Sequence, residues 1–391
     1  MPSDSKRILL VIRRLGLGGI EQATITLANA LHHADHDVHL LVLKDTPQQS
    51  PAPGVTVHCQ PFERQARKTP KGLALHLVGR TLLKAVLPGS GFVWQGLAVT
   101  PLFERFLAEQ EAAHGAFDMI LIRGQGAFEL LWPFDDKRCW QMVEAVVGDY
   151  EGRQTQPRWL IRKLFDAKRV ICVSQGLADG LSEHLAARDI ALERCEVIHN
   201  AVPLERVRTL SEQADEPIPD TPFLLHVARL VPEKNPTLLI EAYHKAVEDG
   251  LDTPLLIIGE GSEQAKLDAL VKRLGLEERV QFLGRKANPY PWMAKASALV
   301  LSSNFEGLGL VLIESLALGT QCIATDVPGG IREVLVDDQA RLIAAPNAQD
   351  LAAKMQEALD QPVTVRPQWA ERFSEDAVVP RFLRLIEPNA A

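Results

Sequence analysis

The sequence predicts an α/β protein of two doubly wound, Rossmann-like domains that face a cleft. Three observations predict this fold. The length of 391 residues suits two domains of ordinary size. Short apolar runs alternate with helical patterns along the chain, and glycines follow several of these runs. Such alternation forms parallel sheets, whose ligands bind beyond the carboxyl ends of the strands.

Composition and charge narrow the class of protein. The apolar fraction of 46% and the charged fraction of 24% are those of a globular protein. Residues 1–205 carry 23 basic and 23 acidic residues, so the rest of the chain carries the whole net charge of −8. Because neither half is basic, we expect no nucleic-acid partner.

The cysteines and the N-terminus indicate the compartment. The five cysteines are widely spaced without a C-x-x-C pair, which predicts buried free thiols in a reducing compartment. The first apolar run, Ile8–Ile12, is too short for a signal peptide, and no run approaches the roughly 18 residues of a membrane span. We expect a cytoplasmic protein.

The first domain opens with a strand, a glycine loop and a helix. The strand Ile8–Ile12 is followed by a helix over Ile20–Leu31, with Gly18 and Gly19 in the loop between them. Glu21 occupies the position of the third glycine of a dinucleotide fingerprint, which weakens that interpretation. A phosphate or substrate contact by the two glycines is favoured, and a tight turn is the remaining alternative.

The alternation continues through a domain of residues 1–205 and a second domain of residues 206–365. Residues 366–391 are predicted to form a crossover helix that packs on the first domain. The further strands are predicted at 38–43, 118–122, 139–143, 170–173, 195–198, 223–227, 255–258, 280–283, 298–301, 321–324 and 342–344.

Residues 60–115 contain a basic amphipathic stretch. Its cations and apolar residues interleave, and Phe92 and Trp94 follow. Such a stretch can lie on an anionic membrane face, which would make the protein peripheral on the inner face of the cytoplasmic membrane. The alternative is a surface helix packed on its own domain. The basic residues are Arg64, Arg67, Lys68, Lys71, Arg80 and Lys84.

Residues 302–319 carry the most specific pattern of the chain. A polar loop with Gly307 and Gly309 separates a buried strand from a helix over 310–318. Such a loop and helix start can bind a phosphate. Glu306 lies in the loop and Glu314 lies inside the apolar helix, where a carboxylate is costly unless it is bound. Either the two carboxylates bind ligand hydroxyls, or Glu306 is a solvated loop residue and Glu314 an edge residue of an amphipathic helix.

Two cations follow the first strand of the second domain. Arg229 and Lys234 lie in the loop after this strand, where they can hold a diphosphate or be merely solvated. Asn235 and Pro236 fit the N-cap and first position of the next helix. Further glycine turns follow later strands, one at Gly259 and one just before Arg285. Either a base binds there or both are ordinary turns.

Together these motifs resemble the family 4 glycosyltransferases, which are retaining enzymes of the GT-B architecture. The matching elements are the first glycine loop, Asn200 at the end of domain one, A-R-L-x-x-x-K, G-x-G, F-L-G and E-G-x-G-L-x-x-x-E. The similarity is most specific over 226–234 and 302–333 and weakest over 45–165.

The resemblance implies roles by position. Arg229 and Lys234 would hold the donor diphosphate, and Glu306 would meet the donor sugar near the reacting carbon. The backbone of Leu310 and Val311 would bind phosphate, and Glu314 would bind the ribose. The base would lie beside Gly259 and Arg285, and the phosphate and acceptor beside Gly18 and Gly19.

The resemblance also implies a mechanism. The leaving phosphate would help to deprotonate the acceptor hydroxyl, and attack would occur on the donor's own face without a metal or cofactor. Many relatives carry a His after a strand of domain one. Here Glu144 follows Cys139–Val143, so either Glu144 replaces that His or the correspondence is shifted.

The resulting prediction is a metal-independent retaining glycosyltransferase of hexosyltransferase type. It would move a sugar from a nucleotide-sugar donor to a glycan or lipid-linked acceptor in lipopolysaccharide or other surface polysaccharide synthesis. The alternatives are a catalytically silent binding protein of the same fold and a nicotinamide-dependent oxidoreductase. The second-half cations and carboxylates disfavour both.

Overall fold

The computed structural model describes residues 5–16, 18–44, 46–80, 90–147 and 157–386. The chain divides into two compact units. Unit 1 comprises Met1–Val173, Leu177–Ala201 and Val378–Ala391, and unit 2 comprises Ser174–Gly176 and Val202–Ala377. Across the described residues, unit 1 contains a seven-stranded sheet and unit 2 a six-stranded sheet.

The sheet of unit 1 is parallel, and its central strands are buried whereas the edge strands are partly exposed. Its strands are β1 (Arg7–Ile12), β2 (Asp37–Val42), β3 (Thr56–Cys59), β4 (Met119–Arg123), β5 (Cys139–Val143), β6 (Arg169–Cys172) and β7 (Arg194–Val197). Their order is β3-β2-β1-β4-β5-β6-β7, with parallel pairing between neighbours. Strands β2 and β3 lie on one side of β1, and strands β4 to β7 lie on the other side. The switch point between β1 and β4 is where a doubly wound sheet opens a crevice for ligands.

The helices of unit 1 cover the two faces of this sheet. They are α1 (Gly19–His33), α2 (Phe62–Ala66), α3 (Pro70–Arg80), α4 (Gly91–His114), α5 (Gln125–Leu130), α6 (Arg158–Phe165) and α7 (Gln175–Ala186). In α1, Ala23, Leu27 and Leu31 recur at helical spacing and are buried. Gly18, in an extended conformation, precedes this helix.

The sheet of unit 2 repeats the same winding. Its strands are β8 (Leu224–Val227), β9 (Leu255–Ile258), β10 (Val280–Phe282), β11 (Ala298–Leu301), β12 (Cys322–Thr325) and β13 (Ile343–Ala344). Their order is β10-β9-β8-β11-β12-β13, again with parallel neighbours. The switch point of unit 2 therefore lies between β8 and β11.

Helices flank the unit 2 sheet and end the chain. They are α8 (Leu204–Ser211), α9 (Pro236–Glu248), α10 (Gln264–Arg273), α11 (Tyr290–Lys295), α12 (Leu310–Ala317), α13 (Ile331–Val334), α14 (Ala348–Asp360), α15 (Gln368–Glu371) and α16 (Glu375–Leu383). The unit boundary falls within α16, since Val202–Ala377 belong to unit 2 and the chain from Val378 belongs to unit 1. Arg381 Nη2 donates to the Val197 carbonyl within unit 1 at 2.7 Å.

The two-domain α/β fold predicted from the sequence is confirmed, with small shifts at strand ends. The strand β3 and the helices α5 and α6 were not predicted, whereas α2, α3 and α4 lie in residues 60–115, for which a surface helix was one of the two alternatives. The five thiols are free, but the prediction that they are buried is wrong for Cys59 and Cys195, which are exposed. Among the described helices, none combines the length and the apolarity that a membrane span needs.

A pair of histidines links β2 and β3 of unit 1. His39 Nδ1 lies 2.9 Å from His58 Nε2, and the two rings stack. Burial lowers the pKa of both histidines, that of His58 to about 4, and a charge on His39 lowers it further. Both rings are therefore neutral at pH 7.

This pair predicts acid sensitivity. A base with a lowered folded pKa binds protons more readily when unfolded, so its stabilising effect is lost as pH falls below about 6.5. We expect this pair to contribute a fall of about 1–2 kcal/mol in the unfolding free energy between pH 7 and pH 5, measured as the difference between wild type and a variant that lacks the pair. Denaturant unfolding should show a flatter pH profile for His58→Gln. The exposed His33→Gln should keep the wild-type profile, and equal profiles for both variants would contradict the assignment.

Candidate functional site

The candidate site lies at the switch point of unit 2, where the loops after β8 and β11 meet. The Asn304 amide donates to the Glu233 carbonyl at 2.9 Å. Ser302 Oγ donates to the Lys234 carbonyl at 3.1 Å. The two loops, about 70 residues apart in sequence, are thus fixed side by side at the carboxyl edge of the sheet.

Lys234 and Glu306 form the centre of this site. Lys234 Nζ lies 2.5 Å from Glu306 Oε1, and Ser303 Oγ donates to the same oxygen at 2.5 Å. Glu306 is only 7% exposed, whereas Lys234 is half-buried. A buried carboxylate is tolerated when charged and neutral donors both bind it. The structure therefore brings together two of the predicted residues as one hydrogen-bonded cluster.

The backbone of Glu306 is fixed by a close approach to Gly329. The Glu306 amide donates to the Pro328 carbonyl at 3.1 Å, and Glu306 and Gly329 form a parallel bridge. Gly329 has φ +121°, and a Cβ there would lie 1.5 Å from the Glu306 carbonyl oxygen. Only glycine fits this position, so the close approach of the loop after β12 fixes the position of the Glu306 backbone.

The loop that carries Lys234 ends in the predicted helix cap. Asn235 adopts the left-handed conformation with φ 44° and ψ 52°, and its side chain accepts from the Leu238 amide at 3.2 Å. Pro236 is the first residue of α9. The cap prediction is confirmed, and it fixes the direction in which the chain leaves Lys234.

The start of α12 supplies backbone donors. Leu310 and Val311 are its first residues, and Gly309 precedes them. The first N–H groups of a helix have no acceptor within it, and the helix dipole favours negative charge there. Two half-buried residues with such amides, on the loop that carries Glu306, can bind an anion.

Glu314 lies further along α12 in contact with a residue that the sequence did not suggest. Tyr290, the first residue of α11, donates its hydroxyl hydrogen to Glu314 Oε1 at 3.2 Å. Burial raises the pKa of Glu314 to about 7, against the lowering effect of this bond. Burial and the adjacent carboxyl raise the pKa of Tyr290. The only sign of this contact in the sequence was the position of Glu314 in an apolar helix, where an unpartnered carboxyl is costly to bury.

The remaining unit 2 residues lie on the neighbouring loops. Gly259 donates its amide hydrogen to the Gly284 carbonyl at 2.9 Å, and a Cβ at Gly259 would lie 1.8 Å from the Ala228 carbonyl oxygen. The turns after β8, β9 and β10 are therefore packed together. Arg229 and Arg285 are exposed, and their side chains form no hydrogen bond or ion pair within the described part of the chain.

Three candidate residues belong to unit 1. Gly18 and Gly19 lie at the start of α1, where the Gly18 carbonyl accepts from the Gln22 amide at 3.0 Å. Glu144 follows β5 and pairs with Arg123, whose Nε lies 2.9 Å from Glu144 Oε1. Arg123, the last residue of β4, is buried and was not predicted.

Two parallel-sheet α/β units of this winding define the GT-B architecture. Residues 208–377 match the family model described as "Glycosyl transferases group 1". That segment contains every unit 2 residue of the candidate site. The solved structure of TarM resembles this chain with a TM-score of 0.72 and 14% identity, covering 99% of this chain and 100% of TarM. The structure of HepE from Anabaena in complex with UDP resembles this chain with a TM-score of 0.65 and 19% identity, covering 97% of this chain and 98% of HepE.

Curated relatives match part of the chain. A Campylobacter jejuni protein is 38% identical over 188 residues, 48% of this chain and 49% of its own. It is N-acetylgalactosamine-N,N'-diacetylbacillosaminyl-diphospho-undecaprenol 4-alpha-N-acetylgalactosaminyltransferase. The lipopolysaccharide 1,6-galactosyltransferase of Salmonella typhimurium is 29% identical over 183 residues, 44% of this chain and 48% of its own. The chain thus spans about half the length of these two relatives.

The raised pKa of Glu314 predicts a gain in stability from its neutral analogue. An acid with a raised folded pKa costs nothing below its unfolded pKa of about 4.5, and the cost grows until pH exceeds about 7. Glu314→Gln should therefore raise the unfolding free energy by about 2 kcal/mol at pH 8 and by much less at pH 5. Denaturant unfolding at both pH values measures this.

The exposed Glu241, on α9 of the same unit, provides the control. Glu241→Gln should change the unfolding free energy little at either pH. A Glu314→Gln variant that is less stable than wild type at pH 8 would show that the carboxylate is stabilised in the folded protein.

Proposed function

We propose that this protein is a retaining glycosyltransferase of family 4 that moves a sugar from a nucleotide-sugar donor to a hydroxyl of a glycan or lipid-linked saccharide. The observation that carries the proposal is the Lys234–Glu306 cluster at the unit 2 switch point, inside the matched segment 208–377. The names of the two relatives described above support a role in lipopolysaccharide or other surface polysaccharide synthesis.

In this proposal the diphosphate of the donor binds the exposed Arg229, Lys234 and the amides of Leu310 and Val311. Lys234 has three N–H donors, so it can hold Glu306 and a phosphate oxygen together. Glu306 keeps one oxygen for a sugar hydroxyl near the reacting carbon. These groups balance the charge that develops on the leaving diphosphate, which is how they would lower the barrier.

In the same proposal the nucleoside binds beside the neighbouring loops. Glu314 accepts hydrogen bonds from the ribose hydroxyls, and Tyr290 supplies a hydroxyl in the same place when no donor is bound. The base lies beside Gly259 and Arg285. Ribose binding favours the charged form of Glu314, so the cost of burying that carboxylate is offset when the donor binds.

The chemical step needs no metal ion in this proposal because two cations and the helix amides face the diphosphate. The acceptor hydroxyl attacks the anomeric carbon on the face that the diphosphate leaves. The bond to the leaving oxygen breaks, and the leaving phosphate takes the acceptor's proton. Retention of anomeric configuration, followed by NMR of the first product, and an unchanged rate with EDTA are the expected results.

The donor-side assignment is tested by Lys234→Ala and Glu306→Gln. Lys234→Ala removes a charged donor, and Glu306→Gln removes the charge and replaces one acceptor oxygen with a donor. Each loss is about 1.5–3 kcal/mol, so kcat/KM for the nucleotide sugar should fall roughly 10- to 150-fold. A thermal-shift screen of nucleotide sugars identifies the donor first, since a donor at about 100 times its Kd stabilises by about 2.7 kcal/mol.

Lys266→Ala provides the matched control, since Lys266 is exposed on α10 of the same unit. Its turnover should equal that of wild type. Unchanged turnover in both site variants would refute the site assignment. Binding of a nucleotide without any turnover would favour a catalytically silent protein.

We further propose that the acceptor is lipid-linked and that α3 touches an anionic membrane surface. Leu73 and Leu77 lie one helical turn apart and are 46% and 51% exposed. Lys68 and Lys71 beside them are exposed as well. Exposed leucines with flanking cations are the pattern of an interfacial helix. Arg80 and Lys84 of the predicted stretch lie outside the described side chains.

Membrane binding is tested with vesicles that contain phosphatidylserine. Each cation near an anionic surface contributes about 1 kcal/mol, so Lys68→Ala/Lys71→Ala should weaken cosedimentation roughly 30-fold at low salt. Leu77→Asp should weaken it as well. Lys266→Ala/Lys272→Ala removes two exposed cations from unit 2 and should have little effect. Absence of wild-type binding at low salt would contradict the proposal.

A further inference from the structure

Unit 1 contains a cavity at its own switch point, between β1 and β4. Its volume is about 450 Å³, within the 300–1,000 Å³ of small-molecule sites. The loops after β1, β4 and β5 line it together with the start of α1. Ile20, Phe128 and Val143 make an apolar part of the wall, and Glu21, Gln125 and Glu144 supply polar groups.

Arg123 joins the elements around this cavity. Its Nε donates to Glu144 Oε1 at 2.9 Å, its Nη1 to the Ala23 carbonyl at 3.1 Å and its Nη2 to Asn200 Oδ1 at 2.7 Å. These partners belong to the loop after β5, to α1 and to the segment after β7. The guanidinium side chain is fully buried, so these contacts fix its position.

Glu144 is held by this guanidinium at the cavity wall. Its side chain is 2% exposed, and within the described residues the second carboxylate oxygen forms no hydrogen bond. A buried ion pair contributes little net stability compared with apolar packing. A fixed carboxylate oxygen with free acceptor capacity is, however, what a hydroxyl-binding site requires.

The charges around the cavity indicate a neutral ligand. Arg13 is paired with Glu63 at 3.0 Å, as Arg123 is with Glu144. With Arg14 and Glu21 the lining holds three arginines and two glutamates, and the charges balance once Glu63, the partner of Arg13 outside the lining, is counted. A phosphate would need an excess of cations. A sugar ring, with hydroxyls and an apolar face, fits a wall that is polar on one side and apolar on the other.

We propose that Arg123 is a positioning residue that presents one oxygen of Glu144 to the unit 1 cavity, where it accepts a hydrogen bond from a saccharide hydroxyl. This inference rests on the proposed function and extends it, since the acceptor saccharide is the substrate that the cavity takes. Arg123 acts through Glu144 and does not touch the saccharide itself.

The probes are methyl glycosides of glucose, galactose, N-acetylglucosamine and N-acetylgalactosamine, whose binding to the full chain is followed by saturation-transfer NMR. Wild type should bind at least one of them. Glu144→Gln presents an amide donor where an acceptor is needed, and Arg123→Lys loses the three-way contact. Each should lower the affinity for that glycoside about 10- to 100-fold.

The double variant tells whether Arg123 acts by positioning Glu144 or by stabilising the surrounding structure. Because Arg123 acts through Glu144, Arg123→Lys/Glu144→Gln should bind the glycoside within about twofold of Glu144→Gln alone. UDP binding, measured by calorimetry, should be unchanged in all three variants. If Arg123→Lys does not fold, Glu144→Gln and the shortened Glu144→Asp decide the question.

Arg138→Lys is the matched control. Arg138 also bridges two carboxylates of unit 1, Asp136 and Glu111, each at 2.6 Å, and it does not line the cavity. It should leave glycoside binding unchanged. The inference is overturned if wild type binds none of the glycosides, if Glu144→Gln binds as wild type does, or if Arg138→Lys weakens binding as much as Arg123→Lys. Failure of the proposed function gives a different result, namely no turnover of any nucleotide sugar.

Discussion

The unit 2 site depends on one buried carboxylate. Glu306 is kept in the folded protein by Lys234 and Ser303, which both bind Oε1. Burying a carboxylate without partners costs several kcal/mol, so the loops that supply these partners cannot move independently. The hydrogen bonds between Asn304, Ser302 and the Lys234 loop follow from this constraint. So does the glycine at 329, which leaves room for the Glu306 backbone.

The two carboxyl groups of this site, Glu306 and Glu314, differ in how the cost of their burial is offset. Glu306 is paired with a cation of the same cluster, since Lys234 Nζ lies 2.5 Å from its Oε1. Among the described residues Glu314 has a neutral hydroxyl partner, and burial raises its pKa to about 7, which makes its charged form costly. Stability is thereby reduced at a position that a ligand with several hydroxyls would satisfy. Such a stability cost at one position is common at binding sites.

The sequence was sufficient to predict those elements whose structure depends on local residues. Buried parallel strands are apolar runs, so β1, β4 and β11 were predictable, as was the Asn235–Pro236 cap. The edge strand β3 is largely exposed and has no such run. Lys234 and Glu306 were predictable as neighbours because the carboxyl ends of parallel strands meet at one edge. Tyr290 and Arg123 were not, since nothing local distinguishes a tyrosine at a helix start or an arginine ending an apolar strand.

The two units use the same winding for different electrostatic environments. At the unit 2 switch point, Arg229 is exposed without a carboxylate partner among the described residues, and unpaired helix amides lie on the loop beside Glu306. At the unit 1 switch point, Arg13 and Arg123 are each held by a glutamate. An excess of donors favours an anionic ligand, whereas a balanced lining with a free carboxylate oxygen favours hydroxyls. The fold supplies two crevices of the same origin, and the pairing of arginines with glutamates is the difference between them on which the two proposed ligands rest.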